Sequence, residues 1–200
     1  MTSDMGMTTF ERPDPAWAGA EIYTIGHSTR TQEELIALLR HYGVATLADI
    51  RTMPRSRRNP QFNTDVLAEA MPEAGMAYRH IARLGGLRKG LGEASPNKGW
   101  RNRSFRGYAD YMQTPDFAEG LEELRGLIAG GPVALMCAEA VPWRCHRSLV
   151  ADALLVRGVP SADIQSLTRT EPHKLTPFAH VDGLTITYPP EPEDAEGKSG

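Results

Sequence analysis

The sequence predicts a single three-layer α/β domain, with a mostly parallel central sheet flanked by helices. Three observations carry this expectation. Short β-rich runs alternate with segments of helical period, the pattern of βαβ units. The run Pro132–Ala138 (PVALMCA) is apolar throughout, as a strand covered on both faces must be. At 200 residues the chain has the ordinary length of one domain.

The elements follow in order. Residues 1–20 (MTSDMGMTTFERPDPAWAGA) lack a period and are expected to form a flexible leader. Glu21–Ser28 (EIYTIGHS) reads as a first strand and its turn. Thr31 with Glu34 forms a capping-box pattern. It opens a helix whose apolar face is Leu35, Ile36, Leu38, Leu39 and Tyr42, and Gly43 ends it. Val44–Arg51 is a second strand, followed by the Pro- and Arg-rich loop TMPRSRRNPQF. Asn63–Ala74 is a helix, Met76–Ile81 a third strand, and Leu84–Arg103 a long loop. Ser104–Met112 and Pro115–Ala129 are helical, and Pro132–Ala138 is the central strand. A helix entered through Pro142–Arg147 runs to Arg157 and buries Leu149, Val150, Ala153, Leu154 and Val156. Asp163–Leu167 is a short strand and Leu184–Tyr188 a further one. Residues 189–200 are Pro- and acid-rich and expected to be a disordered tail, so the domain spans 21–188.

The formal charge of −3 conceals an uneven distribution. Residues 1–50 carry −4, residues 51–106 carry +8 and residues 107–200 carry −7. Of the 22 basic residues 18 are arginine, whose planar fork suits phosphate and carboxylate. Two cysteines do not make a disulfide framework. No secretory signal and no apolar run of membrane-spanning length is visible, so the expected setting is a reducing cytoplasm without membrane contact.

In a parallel sheet the ligand site lies beyond the carboxyl ends of the strands. Three constellations fall there. Residues 137–147 (CAEAVPWRCHR) run from the central strand into a helix N-terminus, where the dipole favours an anion and lowers a thiol pKa. Cys145 is therefore the expected reactive thiolate, and Cys137 the more core-like of the two. The C-x7-C-H spacing matches no standard zinc pattern, and Arg144 stands seven residues after Cys137, so a C-x5-R phosphatase loop fails. Residues 24–29 (TIGHST) form a strand-to-helix turn with a histidine and hydroxyls, without the glycines of a dinucleotide fingerprint. In residues 49–62, Asp49 and Arg51 point to one face of a strand, and Arg55, Arg57 and Arg58 follow in a Pro-bounded loop.

These motifs carry a resemblance. Thr24–Ser28, Asp49–Ser56 followed by Phe62, Leu84–Gly86 and Cys137–Arg147 occur here in the order of the bacterial and archaeal family catalogued as domain of unknown function 488. The resemblance covers roughly residues 22–170. Ile50 departs from it, since the family more often has valine there. It implies a compact α/β domain and no established reaction.

Three functional readings follow, and whether the chain is an enzyme stays open among them. In the first, it acts on a phosphate-bearing substrate, a nucleotide or nucleic acid. Glu139 and His27 are then the acid–base candidates and Cys145 the nucleophile. Ser28, Asp49, Arg51, Arg57, Cys137, His146 and Arg147 bind the substrate or its anion, with Arg51, Arg57 and Arg147 as clamps. In the second, it is a non-catalytic nucleotide or nucleic-acid binding module, with Phe62, Tyr78, Trp100 and Phe105 interleaved in the basic segment. In the third, Cys137, Cys145 and His146 serve metal or redox chemistry. No cofactor is called for, no metal ligand is assigned, and the oligomeric state is left open.

Overall fold

The computed structural model describes residues 14–190, and in it the alternating pattern closes into one six-stranded sheet. The strands are β1 (Ile22–Gly26), β2 (Thr46–Asp49), β3 (Ala77–His80), β4 (Val133–Cys137), β5 (Ser161–Ser166) and β6 (Arg169–Pro172). Their order is β3-β2-β4-β1-β5-β6. All neighbouring pairs are parallel except β5 with β6, which is antiparallel. Three features differ from expectation. The β6 hairpin strand was not legible, because RTEP shows no apolar alternation. The run expected as a last strand is β8 (Thr185–Thr187), which pairs only with β7 (His180–Asp182) in a separate two-stranded ribbon. Residues 14–20, read as leader, are ordered: Pro15–Trp17 makes a 3-10 turn that buries Trp17. The rest of the leader, and the tail from residue 191, lie outside the described residues.

Helices α1 (Gln32–His41) and α2 (Thr64–Glu73) cover one face of the sheet. Helices α3 (Arg103–Tyr111), α4 (Pro115–Arg125) and α5 (Arg147–Leu155) cover the other. The capping box read from Thr31 and Glu34 is present, and Gly43 ends α1 with φ +64°. Side chains alternate along each strand, so the core divides by parity. Ile22, Ala48, Val133 and Leu135 pack with α3, α4 and α5. Ile25, Leu47, Ala134, Met136 and Ile164 pack with α1 and α2. β4 lies between β2 and β1, and its connection leaves to the opposite face from theirs. That switch opens a crevice at the strand ends. No helix among the described residues is long and apolar enough to cross a membrane.

Buried aspartates hold the irregular segments. Asp110 on α3 accepts hydrogen bonds from Leu91 N, Ser95 Oγ and Asn97 Nδ2, which fixes the long loop after β3. Asp152 on α5 accepts from His173 Nε2, the backbone and hydroxyl of Thr176, and Tyr188 OH. It ties the chain after β6 to the helix. Asp152→Ala strands several buried donors and is expected to cost about 3 kcal/mol. Hydrogen exchange should then rise in residues 173–188 before it rises in the sheet; unchanged exchange there would refute the anchoring role.

Candidate functional site

Strand parity sorts the residues at the sheet's carboxyl edge into two clusters. On the α1/α2 side lie His27, Asp49, Arg51, Phe62 and Tyr78. Asp49 is fully buried and takes a bidentate pair from Arg51, Nε to Oδ1 at 2.9 Å and Nη2 to Oδ2 at 2.6 Å. Tyr78 OH donates to the same carboxylate at 2.8 Å, and Arg51 Nη2 also donates to Phe62 O. His27 Nδ1–H donates to Ser28 O, so Nε2 is the acceptor that faces Arg51 Nη1 at 3.3 Å. Its ring stacks on Phe62 with centroids 4.3 Å apart. Burial, aided by the charge of Arg51, lowers His27 to about 4. Neither nitrogen of His27 is left for a substrate, and the Arg51 fork is spent on Asp49. The same-face pairing of Asp49 with Arg51 is realised as an internal clamp. Ser28 holds the turn with φ +50°, a conformation uncommon outside glycine.

On the α5 side lie Thr24, Cys137 and Asp163, with Cys145, His146 and Arg147 at the start of α5. Arg147 is 0% exposed. Its Nη1 donates to Cys137 Sγ at 2.7 Å and Glu139 O at 2.6 Å, Nη2 to Ala140 O at 3.0 Å, and Nε to Asp163 Oδ1 at 3.2 Å. Thr24 Oγ1 donates to the same Asp163 oxygen. The expected open anion clamp at Arg147 is therefore corrected: this guanidinium grips the 137–140 loop and faces a sulfur.

The two thiols also exchange the characters expected of them. Cys145 Sγ donates to Cys137 Sγ at 2.7 Å. Burial raises both. At Cys137 the hydrogen bond from Cys145 and the charge of Arg147 outweigh burial and bring the thiol below its ordinary value. At Cys145 burial and the adjacent Cys137 act together and hold the thiol well above it. Of the pair Cys137 is the more readily ionised thiol, and Cys145 the one that more readily keeps its proton. His146 Nε2–H donates to Ile50 O at 2.7 Å, which leaves the Nδ1 lone pair 3.5 Å from Cys145 Sγ. Burial lowers His146 to about 4, so the ring is neutral. Cys137, Cys145 and His146 thus form a row along which one proton can be held or passed.

A cavity of about 520 Å³ opens onto this row. It brings together Arg51, Cys137, Glu139, Cys145 and His146 from the expected residues. It does not include His27, Ser28, Asp49, Arg57 or Arg147. Glu139 is exposed in its wall, and Arg57 is exposed on the loop before α2. Of the remaining wall, Thr52, Met53 and Arg144 stand inside the motifs at 49–56 and 137–147 and Phe105 among the expected aromatics, but none was assigned to this cavity, and Leu87, Asn102 and Ser104 were missed from sequence. Leu87, Asn102 and Ser104 carry no motif, and only the folding of the long loop brings them here. The proposed stacking aromatics are mostly occupied: Phe62 is fully buried, and Trp100 packs on Phe105, Phe178 and Tyr188.

Two motif glycines have steric reasons. A Cβ at Gly26 would overlap the Glu139 carbonyl, and one at Gly86 would overlap the His146 ring. Both let backbone pass against the thiol row. Among the described residues no group of three or more His, Cys, Asp and Glu is placed to hold a metal ion. The sulfur separation of 2.7 Å is also closer than the roughly 3.7 Å of two thiolates on one tetrahedral zinc.

The fold and site define a class: an α/β domain with helices on both faces and an arginine-held cysteine pair at the switch between β1, β2 and β4. The chain belongs to the family described as Domain of unknown function DUF488, whose model matches residues 31–154. That span includes the motifs at 49–62, 84–86 and 137–147 and begins after Thr24–Ser28. No curated protein and no solved structure matches the chain.

Both low-pKa histidines are neutral in the fold, whereas in the unfolded chain they take up protons near pH 6.5. Acid therefore favours unfolding between about pH 6.5 and about 4, and the pair contributes nothing to pH dependence above that window. Melting temperature should fall across this range, and His27→Gln should make the fall shallower. An equal slope in the variant would show that His27 is not a source of it.

Proposed function

We propose that this protein is a thiol-dependent enzyme that acts on a phosphate-bearing substrate, a nucleotide or nucleic acid, in the cavity at the strand ends. One observation carries the reading: Cys137 Sγ lies at the cavity with Arg147 Nη1 and Cys145 Sγ each 2.7 Å away. A sulfur that accepts two such donors is held as thiolate, the nucleophilic form. The nucleophile is thus Cys137 in place of Cys145. Its sulfur bonds to the electrophilic centre of the substrate as the bond to the leaving group breaks. The Cys145 thiol proton goes to the leaving group. Glu139, exposed in the cavity wall, is the base for the water that releases the product. Exposed Arg144, in the same wall, meets the anionic part of the substrate. A reducing cytoplasm keeps both thiols available.

Alkylation tests the assignment directly. Iodoacetamide should modify Cys137 before Cys145, with a rate midpoint below the ordinary thiol value of about 8.5. Nucleotides or phosphate esters should slow the reaction. Cys137→Ser should abolish turnover of any phosphate ester the wild type converts, while Glu139→Gln should lower it without lowering the melting temperature. Modification of Cys145 first, or a midpoint at the ordinary value, would sink the proposal.

A second reading, a nucleic-acid binding module, is favoured by Arg55, Arg57 and Arg58. All three are exposed, and none pairs with a carboxylate among the described residues. Affinity for a single-stranded oligonucleotide should then fall steeply with salt, and replacing each arginine by alanine should reduce the slope by about one. A flat salt response counts against this reading.

A further inference from the structure

The thiol pair contains more than a nucleophile needs. An activated cysteine requires a cation or a base beside it; a second cysteine at 2.7 Å is a different provision. The two sulfurs are closer than ordinary sulfur contact and about 0.7 Å from the separation of a disulfide. Their surroundings are complementary, since Arg147 Nη1 stands 2.7 Å from Cys137 Sγ and His146 Nδ1 3.5 Å from Cys145 Sγ. Both are nearly closed to solvent, at 2% and 4% exposure, and both line the cavity. A small oxidant can enter there, while a second protein's thiol cannot.

We propose that Cys137 and Cys145 form a reversible redox switch on this site, oxidised by a hydroperoxide. The proposal rests on the assignment of Cys137 as the thiolate. The Cys137 sulfur attacks the distal oxygen of the hydroperoxide and the O–O bond breaks. The sulfur becomes a sulfenic acid, and the other oxygen leaves, with a proton, as water or an alcohol. Cys145 then attacks the sulfenic sulfur. The S–S bond forms, the S–O bond breaks, and the Cys145 proton leaves with the hydroxyl as water. The two electrons lost by the thiols are those that cleave the peroxide, and two equivalents of an added thiol return them. Oxidation removes the nucleophile and takes from Arg147 the anion it faces, so the enzyme is silenced while the sheet is untouched.

The chain has only two cysteines, so a loss of about 2 Da with both thiols gone reports one intramolecular disulfide, and dione labelling separates a sulfenic acid from the equal mass gain of a sulfoxide on any of the 8 methionines. Reduced protein is treated with hydrogen peroxide, quenched with catalase and weighed. The expected result is a loss of about 2 Da in the monomer, disappearance of both free thiols, and full recovery with dithiothreitol. Peptide mapping should place the link between residues 137 and 145. Cys145→Ser should stop at a gain of about 16 Da that a 1,3-dione traps. Cys137→Ser should show neither the loss of about 2 Da nor a dione adduct. Differential alkylation of the wild-type protein gives the same answer should either variant fail to fold. Stable oxygen adducts on wild-type Cys137, a disulfide-linked dimer, or unchanged mass would overturn the switch. The two proposals fail separately. Alkylation at Cys137 without the 2 Da loss removes only the switch. A 2 Da loss in a protein that neither binds nor converts any phosphate ester keeps the switch and removes the substrate assignment.

Discussion

The buried guanidinium of Arg147 is the interaction on which the site depends. A cation without solvent must be neutralised and have its donors satisfied, or it destabilises the fold by several kcal/mol. Arg147 meets that requirement with one carboxylate, one sulfur and two carbonyls, drawn from β5, β4 and the loop after β4. The demands are mutual. Asp163 is oriented by Thr24 of β1, and Cys137 is brought below its ordinary pKa against the pull of burial. The Glu139 and Ala140 carbonyls must turn inward, and the loop can take that path because Gly26 has no side chain. A charge that could have bound substrate is used to shape the loop and to favour ionisation of Cys137.

On the other face of the same sheet Asp49 does related work with opposite sign. It gathers Arg51 and Tyr78, and Arg51 reaches His27 and Phe62. The two clusters meet where β2 ends: Ile50 O receives His146, and Arg51 joins Cys137 in the cavity wall. This explains how neutral, buried histidines come to sit at a polar edge. Each spends one ring nitrogen on a backbone carbonyl and is thereby fixed in tautomer and orientation. His27 positions Arg51, and His146 presents a lone pair to Cys145.

Much of the architecture was legible because it rests on local rules. The capping box at Thr31, the stop at Gly43 and the apolar run of β4 each express a preference that tertiary packing then reinforced. Strand parity placed Asp49 and Arg51 on one face, and the structure decided that they pair with each other. The β6 hairpin and the β7–β8 ribbon were not legible, since polar strands of three or four residues have too little pattern to distinguish them from loop. Trp17 was read as leader because a single buried aromatic among prolines has no period.

The sequence by itself determined the layers, the strand ends and which motifs would gather there, because hydrophobic periodicity and turn chemistry act over a few residues. Only the tertiary structure decided what those motif residues do. A cysteine at a helix N-terminus reads as the reactive thiol, yet Cys145 is raised and Cys137 lowered. The side chain of Arg147 bends back into the sheet toward Cys137, and the proton between the sulfurs stays with Cys145. Two of the three arginines that read as phosphate clamps, Arg51 and Arg147, are committed to Asp49 and Asp163, while Arg57 stays exposed. Such outcomes turn on burial and on which partner lies within 3 Å across the fold, and sequence spacing does not encode either distance.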